Sequence, residues 1–297
     1  MEFVSVDVVQ GHADRKPFVL MPIGDIQWAG KGGSTTLDLL KRRIETGLEL
    51  GAMFLGMGDM IDLMSPSNRA EFSRAGLYDT TRQIMDAKAS DLVQELFDLA
   101  LRPTVGKWIG LLEGHHFTEM LDGSTSDMLL CRLLKTRHLG SSCFGRIRFA
   151  YGKVKQGDVT FWAHHGQGGG MRVSGPINKL ETLANSWEAD IFLMGHATKM
   201  PSAPINRVYA SWAGGVPHLR HRKIILVGTG GFSRGYIEGN KIGQVPRGCY
   251  VEKGMMSPTH LGCPIVRIWP RTVEEHYGPK VKRHGVRVWS PEITVEL

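Results

Sequence analysis

Five times along this chain an apolar run of strand length ends on a side chain able to bind a metal or a phosphate. The runs are FVLMPIGD (18–25), AMFLGMGD (52–59), WIGLLEGHH (108–116), VTFWAHHG (159–166) and ADIFLMGH (189–196). A sixth, KIILVGTGG (223–231), ends in Gly-Thr-Gly-Gly. In each run the apolar residues are continuous rather than alternating, which marks strands buried on both faces. Helical patterns lie between them. Residues 35–50 follow Ser34, a good N-cap, and carry Leu37, Leu40, Ile44 and Leu48 at helical spacing. Residues 79–101, 125–136 and 177–187 read the same way. Strand–helix alternation predicts an α/β fold, and strands of such folds present their C-terminal ends to the ligand.

The length of 297 residues fits one α/β domain with an appendage. After residue 231 the text becomes rich in Gly and Pro, with the short strand-like runs CPIVRIW and GVRVW, which read as a closing sheet or a C-terminal appendage. The expected division is a catalytic domain over 1–232 and a C-terminal extension over 233–297 packed on it. No apolar stretch approaches the roughly 20 residues of a membrane span. The opening MEFVSVDVVQGHADRK has no basic segment leading into an apolar one, so no secretory signal is read there and the cytoplasm is the expected compartment. Cys131, Cys143, Cys249 and Cys263 are far apart and read as isolated reduced thiols. Lys and Arg number 36 against 29 Asp and Glu, a net charge of +7 that favours phosphate-bearing partners. The densest basic patch, Lys280, Lys282, Arg283 and Arg287, reads as a solvated face.

The strand-end residues are Asp25 with Gln27 (GDIQ), Asp59 (GDMID), His115 and His116 (EGHHF), His164 and His165 (AHHG), and His196 (GHAT). Gathered at one sheet edge, they combine two carboxylates with several imidazoles. That mix suits Mn²⁺, Fe or Zn²⁺ better than Ca²⁺ or Mg²⁺, which prefer oxygen shells. Two ions sharing a carboxylate can hold a hydroxide and neutralise phosphate, the logic of two-metal ester hydrolysis. Adjacent side chains on a strand point to opposite faces, so one of His164 and His165 is a ligand and the other is not. Asp62 reads as a cap or a supporting residue. Arg69, in SPSNR, is a candidate phosphate contact through its bidentate fork. GQGGGMR (166–172) lacks a phosphate-loop signature and reads as a flexible loop beside the site. TGGFSRGY (229–236) reads as a turn.

In this order, the motifs resemble those of the calcineurin-like metallophosphoesterases: Asp-x-His, Gly-Asp, Gly-Asn-His-Asp/Glu, a His often followed by Gly, and Gly-His-x-His. The resemblance spans roughly residues 18–232. It implies a two-sheet sandwich flanked by helices, and a phosphate ester cleaved by a metal-bound hydroxide. It also implies roles, residue by residue. Asp25 and Gln27 would belong to a first metal site and Asp59 would bridge two ions. His115, His165 and His196 would complete the second site, and His116 would act as general acid on the leaving oxygen. One or two divalent transition-metal ions are expected, with Mn²⁺ the first choice and Fe, Zn²⁺ and Ni²⁺ the alternatives.

Three positions depart from the family pattern. Gln27 stands for a His ligand, Thr198 for the last His, and Phe117 for the acidic partner of His116. The first two weaken the first metal site. The third removes the carboxylate that would orient His116. The basic balance tilts the expected substrate toward a phosphodiester, nucleic acid or nucleotide. The rival from another class is a non-catalytic binding or scaffold protein whose first metal site has decayed.

Overall fold

A computed structural model describes residues 1–10, 16–63, 76–168, 172–213, 216–242, 244–246, 248–275 and 286–297. The apolar runs are strands: β2 (Phe18–Ile23), β3 (Met53–Gly56), β4 (Trp108–Leu111), β6 (Val154–His164), β7 (Ile191–Met194) and β9 (Val216–Gly228). They divide between two sheets. One has the order β1-β5-β6-β7-β9-β8, with β1 (Glu2–Gln10), β5 (Ser142–Tyr151) and β8 (Ser202–Ala213). The other has the order β15-β12-β2-β3-β4, with β12 (Ile265–Trp269) and β15 (Glu292–Glu296). Two-stranded ladders of β10 (Lys241–Ile242) with β11 (Val245–Pro246) and of β13 (Thr272–Glu275) with β14 (Val286–Trp289) complete the described strands.

The two sheets face each other across a core that draws on both. Val4, Ile147, Phe149, Phe161, Leu193 and Val227 come from one; Leu20, Leu55, Ile109, Val266 and Ile268 from the other. Strand β2 shows why its run is continuous: Phe18 and Leu20 enter this inner core, while Val19, Met21 and Ile23 enter the outer one. Alternate residues of a strand point to opposite faces, and here both faces are covered. The outer core is closed by helices α1 (Leu37–Glu49), α2 (Asp79–Leu96) and α3 (Ser126–Leu134), through Leu40, Ile44, Leu92, Leu96, Leu130 and Leu134. Helix α4 (Gly175–Ala184) covers the other sheet, setting Leu180 and Ala184 on Trp162, Phe192 and Leu226. The architecture is α/β, a two-sheet sandwich between helical layers. Fully buried rings such as Phe54, Phe149, Phe161 and Phe192 each contribute roughly 1.5–3 kcal/mol through burial.

Several details differ from the sequence expectation. Helix α1 starts at Leu37 with Thr36 at its N-cap and no side-chain cap; Ser34 is not the cap, because its hydroxyl pairs with that of Ser233 at 2.7 Å. Strands β1, β5 and β8 lie outside the six runs. Each is half-solvated and therefore alternates, as in the buried Cys143, Gly145, Ile147 and Phe149 of β5. Of the closing sheet or appendage expected after residue 231, the run CPIVRIW supplies β12, which pairs antiparallel with β2, Val266 opposite Leu20. Helix α2 runs on through a π-helical turn over Phe97–Leu101. Among the described residues no helix is long and apolar enough to cross a membrane.

Candidate metal centre

The strand-end residues do not meet at one sheet edge; both sheets supply them. Asp25, Asp59 and His115 follow β2, β3 and β4, whereas His165 and His196 follow β6 and β7. The loops after β2 and β3 are zipped together by Asp25 N–H to Gly58 O (3.0 Å), Gln27 N–H to Asp59 O (2.9 Å) and Trp28 N–H to Met60 O (3.1 Å). The loop after β7 joins them where the His196 amide donates to Asp25 Oδ2 at 2.9 Å. The TGGF segment closes the other side, with Phe232 N–H donating to Asp25 O at 2.9 Å.

Backbone conformation marks the same places. Asp25, Gln27, Asp59, His196 and Thr198 have φ of 49°, 50°, 54°, 61° and 48°. Left-handed backbone costs L-residues free energy, and for β-branched Thr198 it is a true outlier. Gln27 and Thr198 share this left-handed geometry with Asp25, Asp59 and His196 while offering no imidazole.

Two sets of ligand atoms each lie within 4.8 Å of one another: His115, His165 and His196, and Asp25, Asp59 and His165. The three imidazoles pack with ring centroids 4.6 to 5.2 Å apart, nearly perpendicular. His165 is the member of the His164–His165 pair that faces the cluster. Its Nδ1 donates to Met57 O at 2.6 Å, which fixes the tautomer and leaves the Nε2 lone pair for a ligand bond. Asp59 Oδ1 accepts from the amides of His115 (2.5 Å) and His116 (2.9 Å). The turn after β4 can come this close because residue 114 is glycine. A Cβ there would stand 2.1 Å from Asp59 Oδ1 and 2.2 Å from its backbone nitrogen.

What remains is a set of buried polar atoms with no hydrogen-bond partner: Asp25 Oδ1, Asp59 Oδ2 and His165 Nε2. His165 Nε2 lies 3.2 Å from Asp59 Oδ2, close enough for charge attraction but not aligned as a hydrogen bond. An unsatisfied buried polar atom costs about 1–3 kcal/mol, so three on residues whose ligand atoms lie within 4.8 Å of one another call for a shared partner. A cation satisfies two carboxylate oxygens and an imidazole lone pair together, and the donor set suits a divalent transition metal. The residues present fit the group.

Electrostatics tell the same story for the protein alone. Burial pushes the Asp25 carboxyl up to about 7. Burial also acts on Asp59, but the adjacent His165 and His116 outweigh it and hold that carboxyl well below the usual range. His165 loses by burial and gains more from Asp59, ending raised to about 9. Burial, then the charge of His165 and His115, lowers His196 to about 4. The attraction between Asp59 and His165 thus raises one group and lowers the other, and an ion bound at His165 Nε2 would take the place of a proton there.

His116 stands beside this cluster, Nε2 3.7 Å from Asp59 Oδ2 and Nδ1 3.0 Å from Asp62 Oδ1. Phe117 denies it an acidic neighbour in sequence, and Asp62 supplies one in space. Arg69 lies outside the described residues, as do Lys280, Lys282 and Arg283, so neither the phosphate contact nor the basic patch has a place here. The sequence reading missed Asp127, near the start of α3. It is buried, accepts from the Gly114 amide and leaves Oδ2 without a partner. Only its place in the first turn of a helix hinted at more than solubility.

No family model matches this chain, and no curated protein does. Solved structures do. One is a conserved uncharacterized protein, a predicted phosphoesterase, from Streptococcus pneumoniae TIGR4. It is 12% identical, with a TM-score of 0.31 over 94% of this chain and 98% of that one.

Proposed function

We infer that this chain is a metal-dependent hydrolase of phosphate esters. The observation that carries the reading is the convergence of Asp25, Asp59 and His165, each buried with a polar atom that has no hydrogen-bond partner, beside His115 and His196. The order of the strand-end motifs supports the same reading from the sequence side. Asp25 and Asp59 would hold a first ion, weakly completed by Gln27; Asp59, His115, His165 and His196 would hold a second. Bound there, a divalent ion supplies Lewis acidity to the phosphoryl oxygens and activates water at neutral pH.

The chain's own residues do the rest. The Asp59 carboxylate, anchored by two amides, sets the spacing between the imidazoles and the His116 ring. With Nδ1 of His116 donating to Asp62, Nε2 is the atom that gives a proton to the leaving oxygen as the P–O bond breaks. Arg69 is a candidate phosphate contact. The net positive charge supports a phosphodiester, nucleic acid or nucleotide, as the substrate, and Mn²⁺ is the first ion to try. The site belongs to a catalytic domain that takes in most of the chain.

Hydrolysis of bis-p-nitrophenyl phosphate and p-nitrophenyl phosphate with added Mn²⁺ tests this directly. Metal-dependent turnover that disappears in both His116→Ala and Asp59→Asn supports it, and the diester-to-monoester ratio narrows the substrate. A second reading, a binding protein that keeps the fold without turnover, is favoured by Gln27 and Thr198. It predicts metal binding with no hydrolysis across Mn²⁺, Fe²⁺, Zn²⁺, Ni²⁺ and Mg²⁺.

A further inference from the structure

A cavity of about 880 Å³ lies between the end of β6 and helix α4. Its volume is that of a small-molecule site. The adjacent histidines divide between two faces: His165 belongs to the metal cluster, and His164 lines the cavity. Among the described residues, no member of either ligand set lines it, so what it holds is bound apart from the metal centre.

One wall is aromatic. Trp162 and Trp187 meet at 5.8 Å with an interplanar angle of 50°, and His164 stacks on Trp162 at 5.7 Å and 28°. Trp187 is itself backed by Phe144, stacked on it at 5.4 Å and 23°. Met194 and Leu183 add apolar surface. A flat ring suits such a wall, because stacking adds about 0.5–1.5 kcal/mol to the burial of its area.

The polar lining is one-sided in charge. Lys179, from α4, brings a cation, and among the described residues no Asp or Glu lines the cavity. Lys179 Nζ donates to the carbonyls of Gln167 and Gly168. An ammonium has three protons, so one is left for a ligand. His164 is a second donor: the Gly166 amide donates to its Nδ1 at 2.7 Å, so the neutral ring carries its proton on Nε2. Trp162 keeps a buried indole N–H without an acceptor. A purely apolar ligand leaves these donors unpaired, at a cost. A cationic ligand meets Lys179 with no carboxylate in the lining to offset the repulsion. A flat ring carrying a carboxylate suits both parts, the ring against the indoles and the charge toward Lys179.

We propose that this cavity binds a small planar aromatic carboxylate, at a site of its own apart from the metal centre. Its occupancy does not depend on the phosphoesterase reading, and either can fail alone.

The test is isothermal titration calorimetry of the whole, chelator-stripped chain with benzoate, indole-3-acetate and 2-naphthoate. Cyclohexanecarboxylate and acetate, which lack a flat ring, are the controls. Stripping removes any metal ion that could hold a carboxylate. At least one aromatic acid should bind, about ten-fold or more tighter than either control. Lys179→Met keeps the stem, removes the charge and should weaken that acid about ten-fold, the scale of a hydrogen bond to a charged group. Thr182→Trp fills the cavity from an exposed position on α4 and should abolish binding without opening a hole in the core. Circular dichroism on each variant separates lost binding from lost fold. If none of the three acids binds at millimolar concentration, the site is wrong. Binding that Thr182→Trp leaves unchanged lies elsewhere on the molecule and overturns it equally. Binding that Thr182→Trp abolishes and Lys179→Met leaves unchanged overturns the carboxylate as the recognised group.

Discussion

Asp62 Oδ1 lies 3.0 Å from His116 Nδ1, a carboxylate–imidazole pair formed across 54 positions of sequence. The pair restores what Phe117 takes away. If it orients the ring, Asp62→Asn lowers kcat about ten-fold while the affinity for metal stays within two-fold, because Asp62 is outside the ligand sets. In a His116→Ala background the same substitution has no further effect, since residues that act as a unit are not additive. Equal losses in the two backgrounds, read from steady-state kinetics, contradict the pairing.

Gln27 and Thr198 share the left-handed backbone of Asp25, Asp59 and His196, and offer an amide and a hydroxyl where an imidazole would bind a metal more tightly. Gln27→His with Thr198→His supplies two imidazoles to a backbone already shaped for them. The expected outcome is a rise in bound metal from about one ion per chain to two, measured by elemental analysis after dialysis, together with faster turnover. A wild-type chain already carrying two ions would contradict the view that these positions weaken the first site.

Gly114 lets the His115–His116 turn rest on Asp59. Gly114→Ala forces a methyl group into the Asp59 backbone and carboxylate. Such overpacking costs typically 1–3 kcal/mol, and metal affinity should fall at least ten-fold as the imidazoles move. Urea unfolding and metal titration of one sample measure both, and a variant as stable as wild type contradicts the contact.

Asp127 gives a pH signature to the metal-free protein. Burial first, and then the charge of Asp59, raise its carboxyl to about 7 from 3.8. Between those values the folded state holds a proton that the unfolded state has released, so stability falls as pH rises from about 4 to about 7. Asp127→Asn removes this loss. It should match wild type near pH 4 and exceed it by a few kcal/mol at pH 8, about 1.4 kcal/mol for each pKa unit. Urea midpoints at the two pH values decide it, and a parallel dependence in both proteins contradicts the assignment.

The central strands were legible because burial on both faces writes an unbroken apolar run, and the Asp and His side chains that the structure groups follow each run directly. Strands β1, β5 and β8 were not, since half-solvated strands alternate and blend with loops. Ser34 misled because a good capping residue need not sit at the cap; its hydroxyl found Ser233 instead. The choice between His164 and His165 needed the second sheet to show which side the cluster lies on. Asp62 with His116, and Asp127 with Gly114, join residues that no local pattern connects.

The most direct measurement is calorimetric titration of chelator-stripped protein with Mn²⁺ and with Zn²⁺, beside Asp59→Asn and His165→Ala. The expected result is at least one ion per wild-type chain, with affinity reduced 100-fold or more in both variants, which remove one of the buried unpartnered atoms apiece. A wild-type chain that takes up neither ion, or variants that bind as wild type does, would show that these atoms do not form a metal centre.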